Sequence, residues 1–435
     1  MLALAAARRL SADEPVPADG GASVEAVYIL DDQPLPLPRG IDSQRAGRYR
    51  LGGLSDLVAL GEGKARGTRF LAITDRGPNA EVLIDSPPGT PARRLRTLPV
   101  PEFSPVLLEL TLTGPHARAT DRRGADAARH GKIEVVSARP LRTASGKPTS
   151  GRPVAPRPFD APVFEPRSGV PLPPDPDGYD TEGLARLPDG TLWIAEEYLP
   201  SLGRLSGEDR VVQRHVPLGI GPLAIGPATA DAIVSHTLPE SLARRRENRG
   251  FEALAASRDG RRLYALMQSP AATDGEPGLD AALIEFDPRG GTVAEHSYRL
   301  GDPAATDPDA VRAADGKLSA LTVLDDGALL VVEQSATESR LYRVVLPTGG
   351  RDPETPLAKT LVADLMPLVP RLARDIDPDG EPPTRPADLK IEGMAWLGDG
   401  RVALVNDNDF DIAAATADNA ARRRSCLWIL RLPPR

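Results

Sequence analysis

The side chains of this sequence that could do chemistry are carboxylates placed around short turns. In residues 390–410, KIEGMAWLGDGRVALVNDNDF, two apolar runs flank Asp399-Gly400, a dipeptide typical of a tight β-hairpin turn. Counting outward from a two-residue turn predicts that Glu392 lies directly opposite Asp407. Two facing carboxylates repel each other, and a bound cation is the simplest compensation.

This strand–turn–strand pattern recurs four more times. Three copies, DTEGLARLPDGTLWIAEEY, GFEALAASRDGRRLYALMQ and KLSALTVLDDGALLVVEQ, begin at residues 180, 250 and 317, and a looser copy occupies residues 49–79. By the same counting, the pairs predicted to face each other are Glu182 and Glu197, Glu252 and Gln268, Ser319 and Gln334, and Ser55 and Asp75. A repeat of about 70 residues that contains a hairpin and further short strands is typical of a β-propeller.

We therefore expect an all-β fold built as a single β-propeller of six blades, with five or seven blades as alternatives. The N-terminal strand, residues 23–30, is predicted to complete the sheet that contains residues 426–432 and so to close the ring. A stretch rich in proline, residues 139–178, is predicted to be a surface loop within one domain, residues 23–435. Helix is sparse, and residues 231–246 are the best candidate.

The propeller would bring the carboxylates together. Both ends of a hairpin lie at one edge of its sheet, and the corresponding edges of the blades converge around the central channel. The predicted metal ligands at this mouth are Asp75, Glu182, Glu197, Glu252, Glu392 and Asp407. Oxygen ligands without thiolates or imidazoles suit calcium, and magnesium less well. Each glutamate could instead cap loop amides or pair with an arginine, although that explains the paired carboxylates less well.

Cationic and amide side chains flank the same repeats. We predict that the substrate is bound by Arg76, Lys317, Lys390 and Asn408. Lys317 and Lys390 each stand two residues before the key position, so they share its face of the strand. These cations either neutralise the carboxylates or hold an anionic group such as a phosphate.

Composition limits the function further. The chain has 435 residues, a net charge of -8 and an isoelectric point near 5.4, which argues against a role in binding nucleic acids. Its single cysteine, Cys426, excludes an internal disulfide framework, and no apolar stretch reaches transmembrane length. Residues 1–22 begin MLALAAA and are interpreted as a signal remnant or a flexible N-terminus of a secreted or periplasmic monomer.

The repeats also resemble a known family. The segments DTEGLARLPDGTLWIAEEY, NRGFEALAASRDGRRLYALMQ and KIEGMAWLGDGRVALVNDNDF, together with ITDRGPNAE, resemble the phytase-like family, also called esterase-like activity of phytase, over about residues 45–435. The resemblance implies a β-propeller that is commonly secreted or periplasmic in bacteria. The family name implies hydrolysis of phosphoesters or other esters.

Our first hypothesis is a calcium-dependent hydrolase that acts on a small, phosphorylated substrate. The metal would polarise a phosphoryl oxygen and activate water. One of the mouth carboxylates would serve as general base, and the candidate catalytic residues are Glu182, Glu197 and Glu252. The alternatives are a carboxylester or lactone hydrolase that uses the same metal, and a secreted binding propeller without catalytic activity.

Overall fold

The structure is a computed structural model. It describes residues 21–37, 48–61, 68–84, 93–114, 130–154, 162–166, 168–273, 276–301, 316–347, 355–379, 383–412 and 423–434. The predicted N-terminal segment, residues 1–22, lies outside these ranges except for its last two residues. In the part of the chain that is described, no helix has the length and hydropathy needed to span a membrane.

The described chain is dominated by β-strands. The first half of the chain contains β1 (Ser23–Leu30), β2 (Leu54–Leu60), β3 (Arg69–Thr74), β4 (Ala80–Ile84), β5 (Arg93–Thr97), β6 (Val106–Thr113), β7 (His130–Pro140), β8 (Arg142–Thr143), β9 (Val163–Phe164), β10 (Thr181–Arg186), β11 (Leu192–Glu196), β12 (Ser201–Leu205), β13 (Arg210–Pro217), β14 (Ala224–Ile225) and β15 (Ala228–Thr229).

The second half of the chain continues in the same way. Its strands are β16 (Ile233–Leu238), β17 (Phe251–Ala256), β18 (Leu263–Met267), β19 (Ala272–Thr273), β20 (Glu276–Pro277), β21 (Asp280–Asp287), β22 (Gly291–Arg299), β23 (Lys317–Val323), β24 (Leu329–Gln334), β25 (Ser339–Val344), β26 (Lys359–Asp364), β27 (Ile391–Gly398), β28 (Arg401–Asn406) and β29 (Cys426–Arg431). One α-helix, α1 (Val369–Ile376), and short 3-10 turns at Glu240–Arg244, Met366–Leu368, Pro386–Leu389 and Asp409–Asp411 complete the described elements.

The strands group into four-stranded antiparallel units, which we call blades. Blade 1 is β2-β3-β6-β7, blade 2 is β10-β11-β12-β13, blade 3 is β17-β18-β21-β22, blade 4 is β23-β24-β25-β26 and blade 5 is β27-β28-β29-β1. As predicted, β1 pairs antiparallel with β29; it also pairs parallel with β7, which joins blades 5 and 1. The first strands of the blades contact one another in the order β2, β10, β17, β23, β27 and back to β2. They therefore surround a common channel, as in a β-propeller.

The described residues form fewer blades than the favoured prediction of six. The interval between Ser55 and Glu182 was expected to hold one additional blade. Its described residues instead add a three-stranded sheet, β4-β5-β9, to the strands of blade 1. The described residues thus form five blades, and the number of blades in the whole chain stays a prediction.

Two segments differ from their predicted conformation. The candidate helix at residues 231–246 is β16 followed by the short 3-10 turn Glu240–Arg244, because its β-branched residues pair with the outer strand of blade 2. The proline-rich stretch, residues 139–178, contains β8 and β9 and buried side chains such as Leu141 and Val154. Its described part is thus partly buried.

The hairpin turn of blade 5 forms as predicted, but the register further along its strands does not. Asp399 and Gly400 both have positive φ, 50° and 72°, and Gly398 pairs with Arg401, as in a two-residue hairpin loop. Further from the turn the pairing shifts, and the main-chain N–H of Asp407 donates to the carbonyl of Lys390 at 2.9 Å. Glu392 therefore does not face Asp407.

The cause of this shift is a β-bulge that recurs in all five blades. The register of each first strand breaks near its start, at Ser55, Glu182, Glu252, Ser319 and Glu392. These are the key positions that the sequence pattern singles out. The first strand of blade 5 has a second break, between Trp396 and Gly398. A bulge residue has no direct partner on the neighbouring strand, and bulges re-aim side chains. All five predicted facing pairs are wrong, although both members of each pair remain at one end of the hairpin. In blades 2, 3 and 4 the turn loop is also one residue longer than predicted, since the N–H groups of Leu187, Ser257 and Leu324 donate to the carbonyls of Thr191, Arg262 and Ala328.

Candidate functional site

The centre of the site is a group of three buried carboxylates. Oxygen atoms of Asp75, Asp180 and Glu182 lie within 4.8 Å of one another. Asp75 follows β3 of blade 1, whereas Asp180 and Glu182 flank the start of β10 in blade 2. The main-chain N–H of Gly77 donates to Asp75 Oδ1 at 2.7 Å and fixes the orientation of that carboxylate. The structure thus brings together two predicted ligands and adds Asp180, which the sequence analysis missed.

A signal for Asp180 was present in the sequence. Asp180 stands two residues before the key residue Glu182, which is the position that Lys317 and Lys390 occupy in their own repeats. The sequence analysis interpreted this position only as a place for cations. The carbonyl oxygen of Asp180 accepts a hydrogen bond from Glu197 N–H at 2.9 Å, so Asp180 is the residue that faces Glu197.

Arg76 joins two of the carboxylates. Its main-chain N–H donates to Asp180 Oδ1 at 3.1 Å, and its guanidinium forms an ion pair with the same carboxylate. The guanidinium Nη1 also lies 3.6 Å from Glu197 Oε2, and the guanidinium carbon lies 5.6 Å from the centre of the Tyr198 ring. Gly151 packs against this residue so closely that a Cβ there would lie 1.8 Å from the Arg76 carbonyl oxygen. Arg76 is thus held in place by the acidic residues themselves.

Glu196 fixes the loop that carries Glu197. Its carboxylate accepts hydrogen bonds from the main-chain N–H groups of Asp180 at 3.2 Å, Tyr198 at 2.9 Å and Leu199 at 2.9 Å. It also forms a fully buried ion pair with Arg214 at 2.8 Å. Charge-assisted hydrogen bonds of this kind are strong, so Glu196 holds both sides of the site in blade 2.

Blade 3 contributes Glu252, which is 3% exposed. Gln268 Nε2 donates to Glu252 Oε2 at 2.5 Å, and Arg249 in turn donates to the Gln268 side-chain oxygen. Burial and the charge of Glu197 raise the pKa of Glu252 to about 7, while Lys317 opposes the rise. Such a carboxyl group can exchange a proton near neutral pH.

Blade 5 contributes Glu392 and Asp407. Burial and the neighbouring Asp407 raise the pKa of Glu392 well above its ordinary value. Lys390 Nζ donates to Asp407 Oδ2 at 2.9 Å and also forms an ion pair with Asp409. Asp407 acts to raise the pKa of Asp75, so blades 5 and 1 share one electrostatic environment.

Two predicted substrate-binding residues have different surroundings. The side-chain oxygen of Asn408 accepts from Gly53 N–H at 3.1 Å and Phe410 N–H at 3.2 Å, and its Nδ2 donates to the Arg423 carbonyl at 3.0 Å. All of its polar atoms are therefore engaged by main chain. Lys317 is half-buried, and no described residue forms an ion pair or hydrogen bond with its ammonium group.

The site carries an excess of negative charge. The neighbouring carboxylates among the described residues include Asp75, Asp180, Glu182, Glu197, Glu252, Glu392, Asp407 and Asp409, and the neighbouring cations include Arg76, Arg249, Lys317 and Lys390. Burial, followed by repulsion from Asp180 and Glu252, raises the pKa of Glu182 well above its ordinary value. Buried unbalanced charge is costly, so bound protons or a metal cation must compensate it.

Sequence comparison places this site in a family. The family model described as phytase-like, esterase-like activity of phytase, matches residues 49–410. The chain belongs to the phytase-like family. The resemblance that the repeats showed is therefore confirmed, and the matched residues of this phytase-like chain include Asp75, Asp180 and the five bulge residues.

Individual relatives are more distant. A protein described as an uncharacterized secreted protein of Arthroderma benhamiae (strain ATCC MYA-4681 / CBS 112371) is 29% identical over 182 residues, which cover 37% of this chain and 35% of that protein. The phytase-like chain therefore aligns with about a third of that relative's length.

Solved structures resemble this chain only distantly. The PQQ-bound aldose sugar dehydrogenase of Streptomyces coelicolor is 12% identical, with 96% of this chain and 100% of that chain covered and a TM-score of 0.35. Virginiamycin B lyase of Staphylococcus aureus is 11% identical, with 84% and 100% covered and a TM-score of 0.31. Similarities with TM-scores this low do not assign a function to this chain.

Proposed function

We propose that this phytase-like protein is a hydrolase that acts on phosphoesters with the help of a divalent cation, calcium. The observation that carries the proposal is the spacing of Asp75, Asp180 and Glu182, whose oxygens lie within 4.8 Å of one another. Calcium binds oxygen ligands at about 2.3–2.6 Å, so ligands on opposite sides of one ion are about 5 Å apart. Three carboxylate oxygens at the observed spacing fit around a single cation.

The surroundings of these carboxylates support a cation. The hydroxyl of Ser55 is fully buried and has no hydrogen-bond partner among the described residues. Ser55 occupies the bulge position of blade 1, which corresponds to Glu182 in blade 2. A buried polar group without a partner is destabilising, and a ligand in the site would satisfy it.

The protein's own groups supply the proton transfer. A bound divalent cation would polarise a phosphoryl oxygen and lower the pKa of a coordinated water molecule. Glu252 is our choice of general base, because its pKa of about 7 allows it to accept and release a proton near neutral pH. Glu182 then serves as metal ligand, and Glu197 positions Arg76, to which it lies at 3.6 Å.

The cations of the site favour an anionic, phosphorylated small molecule as substrate. Arg76 and Lys390 are each paired with carboxylates, Asp180 for the former and Asp407 for the latter. The charge of Lys317 acts to lower the pKa values of Glu252 and Glu392, but its ammonium group forms no ion pair or hydrogen bond with a described residue. The ammonium group is therefore available to a phosphate. We therefore assign phosphate binding chiefly to Lys317.

We further propose that the protein acts as a monomer outside the cytoplasm, secreted or periplasmic. The description of the fungal relative as a secreted protein supports this placement. Fractionation of cells that express the full chain tests it, and recovery of the protein with the cytoplasmic fraction would contradict it.

The experiment that tests the function combines binding and turnover. We expect the purified protein to bind calcium by isothermal titration calorimetry and to hydrolyse a chromogenic phosphomonoester, with the activity lost in chelator. The variant Asp180→Asn should bind calcium at least about tenfold more weakly, a loss of about 1.4 kcal/mol. Asp189→Asn, at the exposed turn of the same hairpin, should behave as wild type.

Three other outcomes would change the proposed function or its metal. Calcium-dependent turnover of a carboxylester without turnover of the phosphomonoester would favour the esterase alternative on the same site. Calcium binding that raises the melting temperature without turnover of either substrate would favour a binding propeller. Phosphatase activity that survives both the chelator and Asp180→Asn would overturn the metal assignment.

A further inference from the structure

One buried carboxylate outside the acidic site connects the blades across the channel. Asp56 is 1% exposed and follows the bulge residue Ser55 on β2. Its Oδ1 accepts the main-chain N–H of Leu57 at 2.8 Å, and its Oδ2 accepts the N–H of Leu184 at 2.8 Å. The second of these hydrogen bonds crosses from blade 1 to blade 2.

The carboxylate of Asp56 also interacts with two further blades. Burial raises its pKa well above the ordinary value, and hydrogen bonds from the main-chain N–H groups of Leu184, Leu57, Met394 and Leu254 oppose that rise. Leu254 belongs to blade 3 and Met394 to blade 5. One side chain thus accepts hydrogen bonds from the first strands of blades 1 and 2 and lies close to the first-strand amides of blades 3 and 5.

The positions of these amides follow the repeat. Leu184, Leu254 and Met394 each stand two residues after a bulge glutamate, the glutamates being Glu182, Glu252 and Glu392. The inner edge of a first strand has no further strand to pair with, because the channel lies there. A buried N–H without an acceptor is costly, and the carboxylate of Asp56 removes this cost for several strands at once.

At the level of Asp56 the other four blades carry only small residues. At the position of Asp56 in the other four blades stand Gly183, Ala253, Ala320 and Gly393. A Cβ on Gly393 would lie 2.8 Å from Asp56 Cα, and a Cβ on Gly183 would lie 2.7 Å from the Leu254 nitrogen. Small residues in the other blades therefore let one aspartate reach the amides around it.

We propose that Asp56 is a positioning residue of the acidic site. By accepting the Leu184 amide and attracting the nearby Leu254 and Met394 amides, it fixes the first strands of blades 2, 3 and 5 against blade 1 and so sets the directions of the three bulge glutamates. This inference rests on the proposed function to the extent that the glutamates serve a metal-dependent site. The role of Asp56 is indirect, because its carboxylate is occupied by main-chain amides.

The test replaces Asp56 by asparagine, which has the same shape but offers only one acceptor oxygen. The Nδ2 group of the Asp56→Asn variant would face an amide donor instead of accepting from it. The matched control is Asp375→Asn on α1, which changes another buried carboxylate, one that accepts from Trp428 Nε1 at 2.9 Å. If Asp56→Asn does not fold, Asp56→Ser, which is smaller and retains one acceptor, takes its place.

Two measurements are made on each variant at a temperature where all of them are folded. Hydrogen exchange followed by mass spectrometry reports the protection of peptides that contain Leu184, Leu254 and Met394. Calorimetry with calcium alone reports the state of the acidic site. For Asp56→Asn we expect coincident loss of protection in all three peptides and calcium affinity about 10–100-fold weaker, the range found when a residue that supports metal ligands is removed. Asp375→Asn should change neither.

The outcomes separate this inference from the function it rests on. Unchanged protection in Asp56→Asn would overturn the connection between blades. Lost protection with calcium affinity equal to that of the wild type would overturn the positioning role. Failure of the wild-type protein to bind calcium would overturn the proposed function, and the exchange data would then still decide whether Asp56 holds the blades together.

Discussion

The main-chain N–H of Glu197 donates to the carbonyl oxygen of Asp180 at 2.9 Å, so the two carboxylates that contact Arg76 stand on facing residues of one hairpin. Arg76 comes from the neighbouring blade. A single guanidinium therefore bridges one blade's paired carboxylates, offsets one of their two charges and joins that blade to the next.

Removal of the Arg76 guanidinium should lower the free energy of unfolding. In Arg76→Gln the side chain of Asp180, which is fully buried, loses its ion-pair partner. Breaking a buried pair on one side typically costs about 3–5 kcal/mol, and we expect a loss of unfolding free energy near the lower value. Urea denaturation measures it in the absence of divalent cations.

The control for Arg76→Gln is Arg258→Gln. Arg258 pairs with Asp325 on the surface, where the two side chains are 51% and 50% exposed. Exposed pairs contribute about 0–1 kcal/mol, so this variant should unfold close to wild type. Equal effects of the two substitutions would contradict the assignment of Arg76 to a buried ionic network.

The hairpins show what the sequence can and cannot predict. The Asp-Gly turns and the alternation of apolar residues locate both strands, and the predicted pair Gly398–Arg401 is confirmed. Counting residue pairs outward from the turn fails further along, because each bulge adds one unpaired residue to the first strand. A local signal exists: Gly183 and Gly393 follow bulge glutamates, and a Cβ at either would meet atoms of a neighbouring blade at 2.7–2.8 Å. This steric requirement for glycine depends on contacts between blades, which the sequence alone does not show.

The phosphate assignment can be tested on Lys317. Its ammonium group has no ion-pair partner among the described residues, but its charge acts to lower the pKa values of the buried Glu252 and Glu392. Lys317→Met should therefore destabilise the protein, but less than Arg76→Gln, which breaks a buried ion pair. Binding of inorganic phosphate in the presence of calcium should weaken at least about tenfold, since a direct charge contact contributes about 1.4 kcal/mol or more. Calorimetry measures the affinity.

Lys132→Met is the matched control, because Lys132 pairs with Asp31 at the surface and its side chain is 63% exposed. It should bind phosphate as the wild type does. Phosphate affinity that is equal in Lys317→Met and Lys132→Met would remove Lys317 from the substrate site and leave Arg76, Arg249 and Lys390 as the remaining cations.

The composition of the site was only partly accessible from the sequence. The repeat identified Asp75, Glu182 and Glu252, because residue type and spacing are visible in one dimension. Asn408 looked equally suitable, yet its amide is consumed by main-chain groups that lie far away in sequence, such as Gly53 N–H at 3.1 Å. Hydrogen-bond partners of this kind depend on how the first and last blades meet.

Crowding in the channel gives a third prediction. In Gly393→Ala the new methyl group would lie 2.8 Å from Asp56 Cα and Val405 Cγ2, so main chain has to move. Overpacking of this kind typically costs about 1–3 kcal/mol, and we expect a loss of about 2 kcal/mol by urea denaturation. Gly207→Ala, where a Cβ would meet nothing within 4 Å, should stay within about 0.5 kcal/mol of wild type. A neutral Gly393→Ala would show that blades 1 and 5 are less closely packed than the structure indicates.

A fourth prediction concerns stability against pH and the buried His215. Its ring packs between Trp193 and Phe286, its Nδ1 lies 2.8 Å from Thr237 Oγ1, and its Nε2 has no partner among the described residues. Burial, with a smaller contribution from the charge of Arg204, lowers the pKa of His215 from 6.5 to about 4. The imidazole is therefore neutral in the folded protein at pH values where it is already protonated in the unfolded chain.

The sign of the effect follows from proton binding. Between pH 6.5 and about 4 the unfolded state binds more protons at this residue than the folded state does, so stability falls as the pH drops through this window. In His215→Gln this contribution is absent, and the loss of unfolding free energy between about pH 7 and about pH 5 should be smaller than in the wild type. Urea denaturation at the two pH values gives the difference for each protein, and His236→Gln on the exposed strand β16 is the control. A loss in His215→Gln as large as in the wild type would show that the acid sensitivity of the fold comes from other groups.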